Sequence, residues 1–155
     1  MSPRVLVSVL FLLVCSWQAA ARDIALVSNK SNEATVVNLP ELIKICKGQT
    51  NRWPDGKPVT LVTRDPSAPE MKVVLEKIYG MSQSEVQTVI SNANHGRVNH
   101  PAIVIADSDD ALVDRVGSTP GAVGLVDVYS INGGVKVLKI GGKLPLEPGY
   151  PLHGN

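Results

Sequence analysis

The sequence predicts an α/β domain with a five-stranded sheet that is mostly parallel or mixed. Three observations lead to this fold class: short apolar runs alternate with amphipathic segments, the amphipathic segments begin at capping residues, and glycines end most of them. The predicted strands are residues 24–27, 59–62, 102–106, 122–126 and 135–140. The first four are almost entirely apolar, as expected of strands that helices cover on both faces.

Four helices are predicted from their N-terminal caps. The caps are Asn38 with Glu41, Ser67 with Glu70, Ser82 with Glu85, and Ser108 or Asp109. The resulting order, β-α-β-α-α-β-α-β-β, is typical of a sheet with helices packed on it. The last two strands are joined by residues 130–134, which include Asn132-Gly133, and a hairpin is the alternative arrangement for them.

Residues 1–21 are predicted to be a cleavable secretory signal. Arg4 supplies a positive charge, residues 5–14 are apolar except for Ser8, and small residues end the segment at Ala21. The apolar run is too short to span a bilayer. We expect cleavage near Ala21 and a periplasmic or secreted protein; an uncleaved anchor or a core segment is the alternative. A lipoprotein at Cys15 is disfavoured because Val14 stands where a small residue is required.

The predicted mature part, residues 22–155, has the size of one domain. Without Arg4, 14 basic residues face 14 acidic ones. That balance argues against a nucleic-acid-binding protein, which would carry a basic excess. Cys46 is the single cysteine in this part of the sequence, so no intramolecular disulfide is expected. We expect it to be a buried, unreactive thiol on the apolar side of its helix, and the mature protein to be soluble.

Three segments, in this order, resemble parts of periplasmic phosphate-type solute-binding proteins of ABC transporters. They are NLPELIKICKGQTNRWPDGKPVTLVTRDPSAPEM (38–71), VGSTPGAVGLVDVYSI (116–131) and VKVLKIGGKLPLEPGYPL (135–152). The resemblance implies a single lobe of such a protein, a three-layer domain over residues 22–155. It also implies phosphate or another small oxyanion as ligand and an ABC transporter permease as partner.

Arg64 and Ser67 are the ligand-binding residues that the resemblance implies, because the family has an arginine followed by Ser-Gly-Thr at a helix start. Here Arg64 is followed by Asp-Pro-Ser-Ala-Pro. An arginine beside a helix N-terminus is also a plausible anion seat on physical grounds. The alternative is that Ser67 only caps its helix and that Arg64 pairs with Asp65 or Glu70 in solvent.

Ser28 and Asn29 are predicted to complete this anion site. They follow the first strand, and in a parallel sheet its carboxyl end would lie at the same edge as Arg64. The alternative is a solvated turn.

No metal, cofactor or catalytic residue is predicted. His95, His100 and His153 match no closed zinc pattern, and the sequence contains no nucleophile elbow, P-loop or zinc-protease motif, so an enzyme is not expected. The predicted function is therefore an exported solute-binding domain. The alternative is an envelope interaction or assembly protein, built on one lobe that has lost ligand capture. Since a single lobe leaves its ligand face open, a homodimer is also expected.

Overall fold

The computed structural model describes residues 22–154. The elements of the main sheet are β1 (Ile24–Asn29), β3 (Thr60–Arg64), β4 (Ile103–Ala106), β5 (Ala122–Asp127) and β6 (Val135–Val137). A second, parallel pair is formed by β2 (Val36–Val37) and β7 (Lys139–Ile140). The helices are α1 (Leu39–Cys46), α2 (Met71–Val74), α3 (Gln83–Asn94) and α4 (Asp109–Ser118). A π-helical turn, Leu75–Tyr79, continues α2, and a 3-10 turn, Val128–Ser130, follows β5.

The main sheet is mixed, with the strand order β4-β3-β5-β1-β6. Strand β3 runs parallel to β4 and β5, whereas β1 is antiparallel to β5 and β6. The α/β class and the five-stranded mixed sheet are thus confirmed. The hairpin alternative for the last strands is wrong, because β6 pairs with β1 and the 130–134 connection carries the chain past that strand.

The reversed direction of β1 decides which residues share an edge. Asp127 at the end of β5 is paired with Ile24 at the start of β1, while Ser28 near the end of β1 is paired with Val123. The carboxyl ends of β3, β4 and β5 therefore lie beside the amino end of β1. The expectation that Ser28 and Asn29 lie at the same edge as Arg64 is wrong.

Helices cover the sheet on both faces, which gives the predicted three layers. Leu26 and Leu61 point into a core with α1, α2 and α3, whereas Val27 and Val62 belong to a second core beneath α4. Gly124 lets α4 approach β5, since a Cβ atom there would come within 2.7 Å of Leu112 Cδ2. No helix within residues 22–154 combines the length and the apolar character needed to cross a membrane.

Three of the four predicted helix starts are confirmed. The side chains of Asn38, Ser82 and Ser108 each accept a hydrogen bond from the backbone N–H of the residue three positions later. These residues are Glu41, Glu85 and Ala111. The start at Ser67 is wrong, because α2 begins at Met71. Asp65 Oδ1 accepts bonds from both the amide (2.9 Å) and the hydroxyl (2.7 Å) of Ser67. This Asx turn competes with the helix for the local hydrogen bonds.

The predicted signal, residues 1–21, lies outside the described residues. The described chain begins at Arg22, whose guanidinium lies 5.1 Å from the Tyr129 ring centroid and 3.3 Å from an Asp127 carboxylate oxygen. The N-terminal and C-terminal segments meet here. Buried Asp23 accepts a 2.6 Å bond from the Leu146 amide and contacts His153 Nδ1 at 2.6 Å.

Candidate functional site

Arg64 stands at the carboxyl end of β3, where it joins three other segments. Its Nη1 lies 2.6 Å from Asp109 Oδ1, in the first turn of α4, and 3.3 Å from Glu70 Oε1, just before α2. The Ser130 hydroxyl donates to the other Asp109 oxygen across 2.9 Å. We call Arg64, Glu70, Asp109 and Ser130 the Arg64 cluster.

The position of the cluster follows from the topology. Because β3 and β4 are parallel neighbours, Arg64 pairs in register with Ala106. The chain leaves β4 there and begins α4 at the Ser108 cap. A parallel strand order thus brings the arginine to the N-terminus of a helix, a place where backbone amides and the helix dipole favour anions.

The neighbours of Arg64 accept hydrogen bonds from only some of its N–H donors. Its side chain is 16% exposed, and its Nε is a buried donor with no hydrogen-bond partner in the protein, as Glu70 Oε2 is a buried acceptor without one. A buried polar atom without a partner is costly. The cluster therefore contains one buried N–H without a partner, which an oxyanion oxygen reaches only if the side chains covering it move.

The charge of the cluster opposes that role. One guanidinium is flanked by two carboxylates, so an incoming anion meets a net negative charge unless its hydrogen bonds outweigh the repulsion. The alternative stated from the sequence is correct that Arg64 pairs with Glu70, but the pair is mostly buried and does not lie in solvent. The alternative omits Asp109, which makes the shorter contact, and names Asp65, which bonds Ser67 instead.

Ser67 makes no hydrogen bond to the Arg64 cluster in the part of the chain that the structure describes. It is exposed, and its hydroxyl is taken by Asp65. The Ser67 hydroxyl and amide hold the pKa of Asp65 below its ordinary value. The structure thus keeps Ser67 on the loop beside the cluster but gives its hydroxyl a different partner.

Ser28 and Asn29 lie at the opposite edge of the sheet, where they are buried and bonded within the protein. Asn29 Nδ2 donates to the carbonyl oxygens of Val116 (3.0 Å) and Gly117 (3.1 Å) at the end of α4. Its Oδ1 accepts the Ser31 amide and hydroxyl. These bonds order the loop after β1 and satisfy helix carbonyls. The solvated-turn alternative is also wrong for these two residues.

The other polar candidates are dispersed. Among residues 22–154, no group of three or more His, Cys, Asp or Glu side chains is arranged to hold a metal ion. His95 and His100 are exposed on the loop between α3 and β4. Cys46 is fully buried, and burial raises the pKa of its thiol to about 12, so the unreactive thiol predicted from the sequence is what this geometry gives.

The sequence matches no protein-family model and no curated protein sequence at a significant level. Solved structures do match. An ABC-type phosphate transport receptor from Vibrio cholerae superposes with a TM-score of 0.70 at 19% identity, over 86% of this chain and 54% of that one. The chain shares its fold with phosphate-type solute-binding proteins. The resemblance stated from the sequence is confirmed at the level of fold.

Two further structures with this phosphate-binding-protein fold give the same result. For PstS from Borrelia burgdorferi the TM-score is 0.65 at 14% identity, covering 87% of this chain and 55% of that chain. For a phosphate-binding protein from Stenotrophomonas maltophilia the TM-score is 0.63 at 16% sequence identity, and the match covers 81% of this chain and 40% of that chain. The chain thus spans about half the length of these proteins or less, as a single lobe would. The Vibrio cholerae protein is named as a phosphate transport receptor and the Stenotrophomonas maltophilia protein as a phosphate-binding protein.

Asp109 is predicted from the sequence only as a candidate helix cap, and Ser130 is not predicted as a site residue. A signal for Asp109 was available. Once β3 and β4 are taken as parallel neighbours, the last residue of β3 and the first helical turn after β4 must lie side by side. Ser130 had no comparable signal, because it reaches the cluster through the 3-10 turn after β5.

Proposed function

We propose that this chain is an exported binding domain for phosphate or a similar small oxyanion and that it works with an ABC transporter. The unpartnered, buried Nε of Arg64 carries the proposal. The fold shared with phosphate-binding proteins supports it. Arg64 ends strand β3 at the edge of the sheet where helix α4 begins. The predicted signal, which would export the protein, also supports the proposal.

In the proposed complex the side chains that cover the Arg64 Nε–H move aside, and the oxyanion accepts this N–H beside the first turn of α4. Asp109 and Glu70 fix the guanidinium plane through Nη1, and Ser130 fixes Asp109. A charge-assisted hydrogen bond contributes about 1.5–3 kcal/mol, and a helix N-terminus about 0.3–1 kcal/mol. Together they give about 4 kcal/mol at most, which is a millimolar dissociation constant.

Tight capture therefore requires a second protein surface over this edge. Tyr129 and Leu146 are 70% and 67% exposed and lie at this edge through their contacts with Arg22 and Asp23. We propose that a second copy of the chain or a transporter subunit covers them. Sedimentation velocity of residues 22–155, with and without 20 mM phosphate (on the order of ten times the expected dissociation constant), tests the homodimer. If the protein is a monomer in both samples, a transporter subunit is the remaining candidate to cover Tyr129 and Leu146.

One observation favours the alternative function, an envelope interaction or assembly protein that has lost ligand capture. The two carboxylates beside Arg64 already compensate its charge. If the cluster is purely structural, Arg64 substitutions lower stability and no anion binds.

Isothermal titration of residues 22–155 with phosphate, sulfate and molybdate distinguishes the anion-binding function from the alternative function. The proposal expects saturable millimolar binding from which Arg64→Gln removes one site per chain, while Arg115→Gln leaves the binding unchanged. Arg115 is an exposed arginine on α4 without an ion pair among the described residues. Absence of binding by the native protein at tens of millimolar anion, on the order of ten times the expected dissociation constant, would favour the alternative.

A further inference from the structure

A cleft of about 610 Å³ opens at the edge of the sheet opposite Arg64. It lies between the 51–60 segment and the loop that joins α3 to β4. Its polar side chains all carry N–H or O–H donors, and none of the residues that line it is acidic: they include Asn51, Arg52, Thr60, Arg97, Asn99 and His100.

The two arginines of this cleft are not paired with carboxylates. Arg97 Nη2 donates to Asn51 Oδ1 across 2.6 Å, and Arg52 Nη1 donates to the Gly56 carbonyl across 2.8 Å. Neither forms an ion pair with an acidic side chain of residues 22–154, in contrast to Arg64. Since a guanidinium has five N–H donors, most of the donors of Arg52 and Arg97 stay open to a ligand.

Both arginines stand on anchored segments. Next to Arg52, the Trp53 indole is 4% exposed and donates to the Gly121 carbonyl across 2.8 Å. Below Arg97, the Asn94 side chain bonds both the carbonyl (2.8 Å) and the amide (2.9 Å) of Ile103, which closes the loop at its base. Anchored segments reduce the ordering cost that a ligand must overcome.

The positive surface extends past Arg97. A neighbouring cleft shares this arginine and adds Lys47 and His95, again with no acidic residue in its lining. Val98, beside Arg97 in the loop, is 93% exposed. Clustered charge of one sign raises the local concentration of ligands of the opposite sign.

We propose that the cleft between Arg52 and Arg97 is a second anion site, which binds a phosphate group bearing two or more negative charges. The planar guanidinium fork matches phosphate oxygens in a way that a lysine does not. His100 supplies a third donor. The phosphate belongs either to a soluble compound or to a lipid head group. This site is independent of the function proposed for Arg64.

Isothermal titration with inorganic pyrophosphate at low ionic strength tests the site in residues 22–155. Because each charge-assisted bond that is lost weakens binding by about tenfold, Arg52→Gln and Arg97→Gln should each raise the dissociation constant by about that factor. Arg115→Gln, which removes the same charge elsewhere, and Arg64→Gln should leave it within about twofold. Thermal unfolding of each variant confirms that it is folded, and Arg97→Lys, which keeps the charge without the fork, should bind with intermediate affinity.

The proposal is overturned if pyrophosphate does not bind, if Arg115→Gln weakens binding as much as Arg97→Gln, or if Arg64→Gln abolishes it. Cosedimentation with vesicles of phosphatidic acid, whose phosphomonoester bears up to two negative charges, and of phosphatidylcholine distinguishes the sources of the phosphate. Binding to the former alone, lost in Arg97→Gln, identifies a lipid head group. Pyrophosphate binding without vesicle binding identifies a soluble phosphate compound.

Discussion

Arg64 and Asp109, 45 residues apart in the sequence, are joined by an ion pair of 2.6 Å between Nη1 and Oδ1. The pair links the end of β3 to the first turn of α4. Both side chains are mostly buried, at 16% and 19% exposed, so solvent screens this pair less than a surface pair. Asp109 therefore has two opposing effects in our account: it holds the guanidinium in place and repels the anion that the guanidinium would bind.

Asp109→Asn separates these effects. Removing one negative charge beside the ligand should tighten phosphate binding by about tenfold, since the repulsion between close charges at a dielectric constant near 20 exceeds 1.4 kcal/mol. Weakening of the ion pair and of the helix dipole interaction should lower the free energy of unfolding by about 1–2 kcal/mol. Titration calorimetry and urea unfolding measure the two quantities.

Asp110→Asn is the matched control, because Asp110 is the next residue of the same helix turn and makes no ion pair within the described chain. If the affinity for phosphate rises equally in both variants, the effect is one of net charge and not of the cluster. Unchanged affinity in Asp109→Asn would contradict the role assigned to its carboxylate.

Asn29→Ala should destabilise the protein and leave anion binding intact. The change leaves two helix carbonyls and the Ser31 amide without their side-chain partner, so we expect a loss of about 2–3 kcal/mol in the free energy of unfolding. Ser31→Ala, which removes only an exposed hydroxyl that donates to Asn29, should cost about 0.5 kcal/mol. Loss of phosphate binding with unchanged stability would instead place Asn29 in the ligand site, as first expected from the sequence.

The free energy of unfolding should fall as the pH rises above about 9. Burial raises the pKa of the Cys46 thiol to about 12, and burial also raises the pKa of Tyr79 and Tyr150. A group with a raised pKa in the folded state stabilises it below the pKa of the unfolded chain. Above that value the unfolded chain releases its proton first, and the stabilisation is lost at about 1.4 kcal/mol per pH unit for each group.

Urea unfolding at a series of pH values tests this dependence. Cys46→Ala should show a smaller slope between pH 9 and pH 10 than the native protein, by about 1 kcal/mol per pH unit. Native Cys46 should also fail to react with a thiol reagent until urea unfolds the chain. The same slope in both proteins, or rapid labelling of the native thiol, would show that Cys46 is accessible.

Gly121→Ala should be strongly destabilising. Gly121 has a φ of 79°, and a Cβ atom there would lie 2.2 Å from the Pro58 carbonyl oxygen. Backbone strain and the required shift of the 52–58 turn should together cost about 2–4 kcal/mol. Gly133→Ala, at a glycine with nothing within 4 Å of the added atom, should cost less than about 1 kcal/mol. Equal costs in thermal unfolding would contradict the close approach.

The fold was largely predictable from the sequence because its signals are local. Apolar runs gave the strands, and the caps Asn38, Ser82 and Ser108 gave three helix starts to within a residue. Strand direction is not local. Nothing in residues 24–29 indicates that β1 runs antiparallel to β5, and this one reversal moves Ser28 and Asn29 away from Arg64.

The site was predictable only in part, for a related reason. Arg64 was found because a charged residue ends an apolar strand. Its partner Asp109 becomes predictable only once β3 and β4 are known to be parallel neighbours, and Ser130, which reaches the cluster through the 3-10 turn after β5, has no signal in the sequence. The start of α2 was not predicted because Asp65 Oδ1 accepts the Ser67 amide and hydroxyl, so that Ser67 belongs to a turn and α2 begins at Met71 without a side-chain cap.

The Arg64 Nε–H resonance provides the most direct test of the account. In residues 22–155 titrated with phosphate to tens of millimolar, on the order of ten times the expected dissociation constant, this resonance should shift and saturate. The Asn29 side-chain amide should stay in place. A resonance that does not move, or a saturating shift confined to Arg52 and Arg97, would contradict the claim that Arg64 holds the anion.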